Sequence, residues 1–144
     1  MNVKKVLMGG GATLLLLFVA VQFVPVDRTN PPVTTRARVP SDVEPLLRRA
    51  CFDCHSNETK WPWYSRVAPV SWLVADHVKD GRKNLNFSTW PVLDPGAESH
   101  LLHEIEEVIE EGEMPLKSYL LGHPEARLSD AEKNMILSWA GSGD

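Results

Sequence analysis

"RRACFDCHSNETKWPW", residues 48–63, holds both cysteines of the chain, with a histidine directly after the second. The run Cys51-x-x-Cys54-His55 admits three chemistries: a dithiol that exchanges electrons, half of a metal site, or two points of covalent attachment for a cofactor. The flanking sequence separates them. Upstream, "SDVEPLLRRACFDCH" opens on Ser41 and Glu44 at capping-box spacing. Val43, Leu46, Leu47, Ala50 and Cys54 then recur along one helical face, and Pro45 is acceptable in the first turn. The cysteines are thus expected at the far end of an amphipathic helix.

That position counts against the dithiol. Such a pair needs its first cysteine at a helix N-terminus, where the dipole lowers the thiol pKa. A structural zinc site needs four ligands. The chain has five histidines, but no second ligand pair at finger-like spacing. A disulfide over so short a stretch is geometrically disfavoured at a helix end. Covalent haem attachment uses all three residues. Each thiol adds across a porphyrin vinyl group, and the adjacent imidazole reaches the iron.

The rest of the chain reads as helices. "VSWLVADHVKDG" is expected to be capped by Ser71 and stopped by Gly81. "SHLLHEIEEVIEEG" turns Leu101, Leu102, Ile105, Val108 and Ile109 inward and ends at Gly112. "LSDAEKNMILSWAGSG" has a Ser129–Glu132 cap, a face of Leu128, Ala131, Met135 and Trp139, and Gly141 at its end. Alternating strand patterns and internal repeats are absent from the sequence. The expected fold is all-α, a small helical domain with long loops around a cofactor.

The N-terminus reads differently. Val6 to Val24 carries no charge, and its nineteen residues would rise about 28 Å as a helix, close to the hydrocarbon thickness of a bilayer. Lys4 and Lys5 in front of it favour a cytoplasmic N-terminus and an exported remainder. Residues 1–25 are therefore expected to form a transmembrane anchor, with a cleaved signal peptide as the alternative. Residues 26–40 form a Pro-rich linker, expected as an extended spacer, and 41–144 the folded domain. A net charge of −4 with no basic run argues against nucleic acid.

The stretches "CFDCHSN", "KWPWYSRVAPVSWLV", "HVKDGRKNLNFSTW" and "EGEMPLKSYLLGHPEARLS" mark a region from Ala50 to the C-terminal helix, about two thirds of the chain. In them the sequence resembles the family of haem-binding domain proteins, and more broadly a small monohaem c-type cytochrome. The resemblance implies one covalent haem c in a protein of the bacterial envelope, with a cytochrome c-like helical domain. It says little about physiological role.

Cys51 and Cys54 are the expected attachment points and His55 the proximal iron ligand. Its second ring nitrogen is expected on a backbone carbonyl near Pro69. For the sixth position "EGEMPL" offers Met114, after Gly112 and before Pro115, in a setting similar to the Gly-x-Met-Pro of small cytochromes c. His77 is the main rival, while His100, His103 and His123 are weaker ones and Met135 reads as core. Trp61, Trp63 and Tyr64 are expected in the pocket, with Trp72, Phe87 and Trp90, and Arg66 is expected to pair with a propionate. From Glu98 to Glu113 there are seven glutamates and no Lys or Arg, a solvated face that could also guide a basic redox partner. The functional expectation is a periplasmic single-electron carrier tethered to the inner membrane. The alternative is a haem-based sensor or peroxide-reactive enzyme with a labile sixth ligand.

Overall fold

The computed structural model describes residues 3–143, with side chains from Gly10 to Ser142. The outermost bounds of the expected anchor and domain, at 1–2 and 144, lie outside the described residues. Among the described residues the fold is helical, as expected, and its only β pairing is an isolated bridge between Thr35 and Thr89. The helices are α1 (Val3–Val21), α2 (Glu44–Ala50), α3 (Phe52–His55), α4 (Val70–Asn84), α5 (Pro95–Glu110), α6 (Lys117–Gly122) and α7 (Asp130–Ala140). They belong to two compact units. One comprises the chain up to Thr29 with Trp61–His77, the other Asn30–Lys60 with the chain from Val78 onward.

The expected transmembrane helix is not found. No helix among the described residues is long and apolar enough to cross a membrane. The bounds of α1 give the reason. It closes at Val21, short of Val24, and takes in Lys4 and Lys5 near its start. The charge-free helical stretch is then Val6–Val21, sixteen residues. That rises about 24 Å, less than the roughly 30 Å of a hydrocarbon core. Within the same unit, Gln22 anchors the end of α1. Its side-chain oxygen accepts from Ala68 N–H at 2.9 Å, and its amide donates to Ala68 O at 3.3 Å.

The second unit holds the core. Leu47 and Ile136 are fully buried, surrounded by Val43, Leu46, Leu102, Ile105 and Ile109. Aromatic rings run through it in a row. Phe52 stacks on Phe87 at 4.9 Å, Phe87 on Trp90 at 5.7 Å, and Trp90 meets Trp139 at 6.5 Å. The row ties the cysteine-bearing turn to the last helix, and offset aromatic pairs add to the burial of their area. Residues 30–40 form no helix and are bonded to this unit. Thr35 Oγ1 donates to Trp90 O at 2.8 Å, and Trp139 Nε1 donates to Arg38 O at 3.2 Å.

The helix ends correct several sequence expectations. Ser41 and Glu44 form no capping box. Val43 is the N-cap, without a side-chain bond, and Glu44 instead pairs with Arg48 at 2.8 Å. Helix α4 runs past Gly81 to Asn84, and Ser71 lies buried inside it. Helix α5 starts earlier than expected because Asp94 caps it, accepting from Ala97 N–H at 3.0 Å, with Pro95 in its first turn. It ends as expected at Gly112, whose φ is +69°. There Glu113 N–H bonds Val108 O and Gly112 N–H bonds Ile109 O, the Schellman pattern. Helix α7 buries Ile136, Trp139 and Ala140, leaving Ala131 exposed.

The Ser129–Glu132 capping box is present in both directions. The Ser129 backbone N–H, the Arg49 guanidinium at 2.7 Å and the Ser129 hydroxyl hold the Glu132 carboxyl down at about 2. Its folded pKa lies below the unfolded value near 4.5. Its contribution to stability is therefore complete above about pH 4.5 and is lost as the pH falls towards 2. Glu132→Gln should flatten the acid limb of stability over that window, measured by urea midpoints. An unchanged acid limb would contradict the assignment.

Candidate functional site

The cysteines sit where α2 stops and a single further turn begins. Cys51 breaks the helix at φ −123° and ψ −39°, while its own N–H still bonds Leu47 O at 2.8 Å. Its carbonyl then accepts from Cys54 N–H at 3.2 Å and from His55 N–H at 2.9 Å. Residues three apart on such a turn share a side, so Cys51 and Cys54 are presented together with His55 directly after them. Ser56 ends the turn in extended conformation, and its hydroxyl donates to Phe52 O at 2.7 Å.

Helix α4 packs directly on this turn through Gly81. A Cβ at Gly81 would stand 2.6 Å from the Cys54 carbonyl oxygen and 3.0 Å from the carbonyl carbon. Only glycine allows that approach. The same contact supports the histidine. His55 Nδ1 lies 3.0 Å from Gly81 O and 3.2 Å from Leu85 O, so its partners are on α4 and just beyond it, not near Pro69. Carbonyls only accept, which requires the proton on Nδ1 and leaves the Nε2 lone pair available. No group among the described residues bonds Nε2. Burial holds the imidazole below its ordinary pKa, with the two carbonyl bonds opposing, so it favours the neutral ligand form. His55 O in turn accepts from Phe87 N–H at 2.8 Å.

Both cysteines are free and half-buried. Burial pushes the Cys51 thiol up to about 12, with a smaller effect from Cys54. Burial and then the Asp53 carboxylate push Cys54 up to about 11, against a lowering by Arg82. At neutral pH both are thiols, the opposite of what a reactive dithiol needs. Among the described residues no three His, Cys, Asp or Glu side chains come together to hold a metal ion. Two thiols and one unprotonated imidazole nitrogen on a rigid turn are the donor set that covalent haem attachment requires.

Groups beyond the three-residue motif brace the turn. Arg82 Nε donates to Ser56 O at 2.8 Å, and its Nη2 donates to Asn30 Oδ1 and Thr59 Oγ1. Asp53, between the cysteines, accepts from Lys60 N–H on Oδ1 and from the Tyr119 hydroxyl on Oδ2, each at 2.9 Å. Sequence reasoning missed Gly81, Leu85, Asp53 and Tyr119. Gly81 carried a signal, an unexplained glycine in a helical pattern, but it read equally well as a helix stop.

Met114 follows the Schellman turn, and its N–H bonds Val108 O at 3.1 Å. Its side chain is half-buried. Met135 packs against the core. His100 and His103 are exposed beside Glu104 and Glu106, while His123 stacks on Tyr119 at 4.3 Å. Phe87 and Trp90 belong to the buried row of rings, and Trp90 Nε1 donates to Glu98 at 2.7 Å. Trp61, Trp63, Tyr64 and Arg66 lie in the first unit, on and before the short 3-10 turn Trp63–Arg66. There Trp63 and Tyr64 meet edge to face at 5.9 Å, and Trp63 is 77 % exposed. His77 also belongs to that unit and is half-buried.

No curated protein and no solved structure matches this chain. A family model described as a haem-binding domain matches residues 16–142. That span includes the cysteine turn, the α4 packing and the Met114 loop, and it agrees with the donor set built above. The chain belongs to the haem-binding domain family, and its cofactor is haem.

Proposed function

We propose that this is a c-type haem protein that holds one haem through thioethers to Cys51 and Cys54 and carries single electrons outside the cytoplasm. In the attachment, each S–H adds across a vinyl double bond, sulfur to one carbon and hydrogen to the other, with no oxidant consumed. The observation that carries the reading is the His55 ring, fixed by Gly81 O and Leu85 O at 3.0 and 3.2 Å with Nε2 unprotonated. Such carbonyl partners orient a proximal histidine and set its basicity. Haem supplies one-electron chemistry when bound, at a potential set by its axial ligands and their surroundings.

Met114 is the proposed sixth ligand. Its loop starts from a hydrogen-bonded helix end, so the thioether is presented on an ordered chain. The glutamates in and just after α5 suit a basic redox partner, with Glu107, Glu110, Glu111 and Glu113 exposed close to Met114 in sequence. Because thioether attachment takes place outside the cytoplasm in bacteria, the domain is expected in the periplasm.

The optical spectrum of purified holoprotein tests the carrier reading. Ferric protein should show the weak long-wavelength band of methionine sulfur on iron. Met114→Ala should lose that band and turn high-spin while keeping its haem. Rapid carbon monoxide binding to the reduced parent protein would instead favour a sensor or peroxide-reactive enzyme with an open site.

A further inference from the structure

Helix α6 raises a question of support. It has only six residues, no side-chain cap at either end and no fully buried side chain. A helix this short is not stable on its own, because one turn cannot repay the cost of nucleation. Something outside it must hold it, and it lies directly downstream of Met114.

The bonds from α6 answer the question. The Tyr119 hydroxyl donates to Asp53 Oδ2 at 2.9 Å. The Tyr119 ring stacks on His123 at 4.3 Å and 15°, and His123 Nδ1 lies 3.1 Å from Glu125 Oε1. Asp53 is itself fixed. Its Oδ1 accepts from Lys60 N–H at 2.9 Å, and its backbone carbonyl accepts from the Thr59 hydroxyl at 2.8 Å. Upstream, Met114 is anchored by its own N–H on Val108 O at 3.1 Å. The chain from Met114 to Tyr119 is thus pinned at both ends, and its five steps span at most about 17 Å. Its downstream pin is Asp53, one of the two residues between the cysteines.

We infer that the Tyr119–Asp53 hydrogen bond is a latch that holds the Met114 segment to the cysteine turn, making Tyr119 and Asp53 positioning residues for the sixth ligand. This rests on the axial reading of Met114 above. With haem bound, this one turn would supply His55 to the iron and, through the Asp53 carboxylate, restrain the segment that carries Met114. Tyr119 and Asp53 would both act through the segment that carries Met114. Their effect is to keep the thioether close, so that its release requires breaking a charge-assisted bond.

The test uses holoprotein with Tyr119→Phe, which keeps the ring and its stacking and removes only the donor. Two readouts are taken. Imidazole should displace the sixth ligand at concentrations on the order of ten-fold lower, as expected for loss of a hydrogen bond to a charged group. The amide hydrogens of Leu120 and His123, which bond Leu116 O and Tyr119 O, should exchange on the order of ten-fold faster, with those of α7 unchanged. Asp53→Asn, which keeps an acceptor, should fall between parent and Tyr119→Phe. Unchanged imidazole displacement, or unchanged exchange at Leu120 and His123, overturns the latch. A Met114→Ala control separates the two ideas. If that variant keeps the parent spectrum, the axial assignment fails first and the latch falls with it.

Discussion

Alanine at position 81 is expected to destabilise the protein by about 3 kcal/mol or more, the upper range for overpacking. The added Cβ would meet Cys54 O at 2.6 Å and its carbonyl carbon at 3.0 Å. Both are backbone atoms, so no rotamer change relieves the overlap. Either α4 retreats or the cysteine turn moves, and each response breaks the bond from His55 Nδ1 to Gly81 O. The melting temperature should fall on the order of 10 °C, and the yield of haem-loaded protein should fall with it. Gly96→Ala is the matched control, since its Cβ would meet only Asp94 Oδ1 at an ordinary 3.5 Å. Thermal unfolding of the two variants beside the parent checks the contrast. A Gly81→Ala protein that melts like Gly96→Ala would show that the close approach is not needed.

The second large effect is chemical. The pair Cys51→Ala and Cys54→Ala should abolish covalent haem while leaving the helical fold in place. The turn is closed by the Cys51 carbonyl, which accepts from the N–H groups of Cys54 and His55, and not by sulfur. His55 also keeps its two carbonyl partners. Haem captured by the double variant should therefore be extractable with acid acetone, whereas each single variant should retain it through one thioether. Far-ultraviolet circular dichroism of the extracted chains separates lost attachment from lost fold. A double variant whose haem resists extraction would remove the cysteines from the account.

Much of the candidate site's geometry was legible in the sequence because it is local. Cys51, Cys54 and His55 lie within five consecutive residues, so their spacing alone places them together. The Ser129–Glu132 cap and the Gly112 helix end were readable for the same reason, each being set within five residues. What escaped was set by tertiary contact. Gly81 looked like a helix stop because its real cause, the Cys54 backbone, lies 27 positions away. The Pro69 expectation for His55 failed because its carbonyl partners lie late in α4, at Gly81, and just beyond it, at Leu85. Tyr119 lay in a stretch too short for helical periodicity, and its acceptor Asp53 looked like a free position within the motif. The apolar N-terminal run counted residues correctly, but α1 closes at Val21 and includes the lysines. Hydropathy alone could not foresee either end.

Covalent attachment at one turn is the claim on which the rest depends. The measurement that tests it most directly is the intact mass of the chain, produced in a host with cytochrome maturation, denatured and extracted with acid acetone. The account predicts the polypeptide mass plus that of one haem. A polypeptide recovered at its bare sequence mass would contradict it.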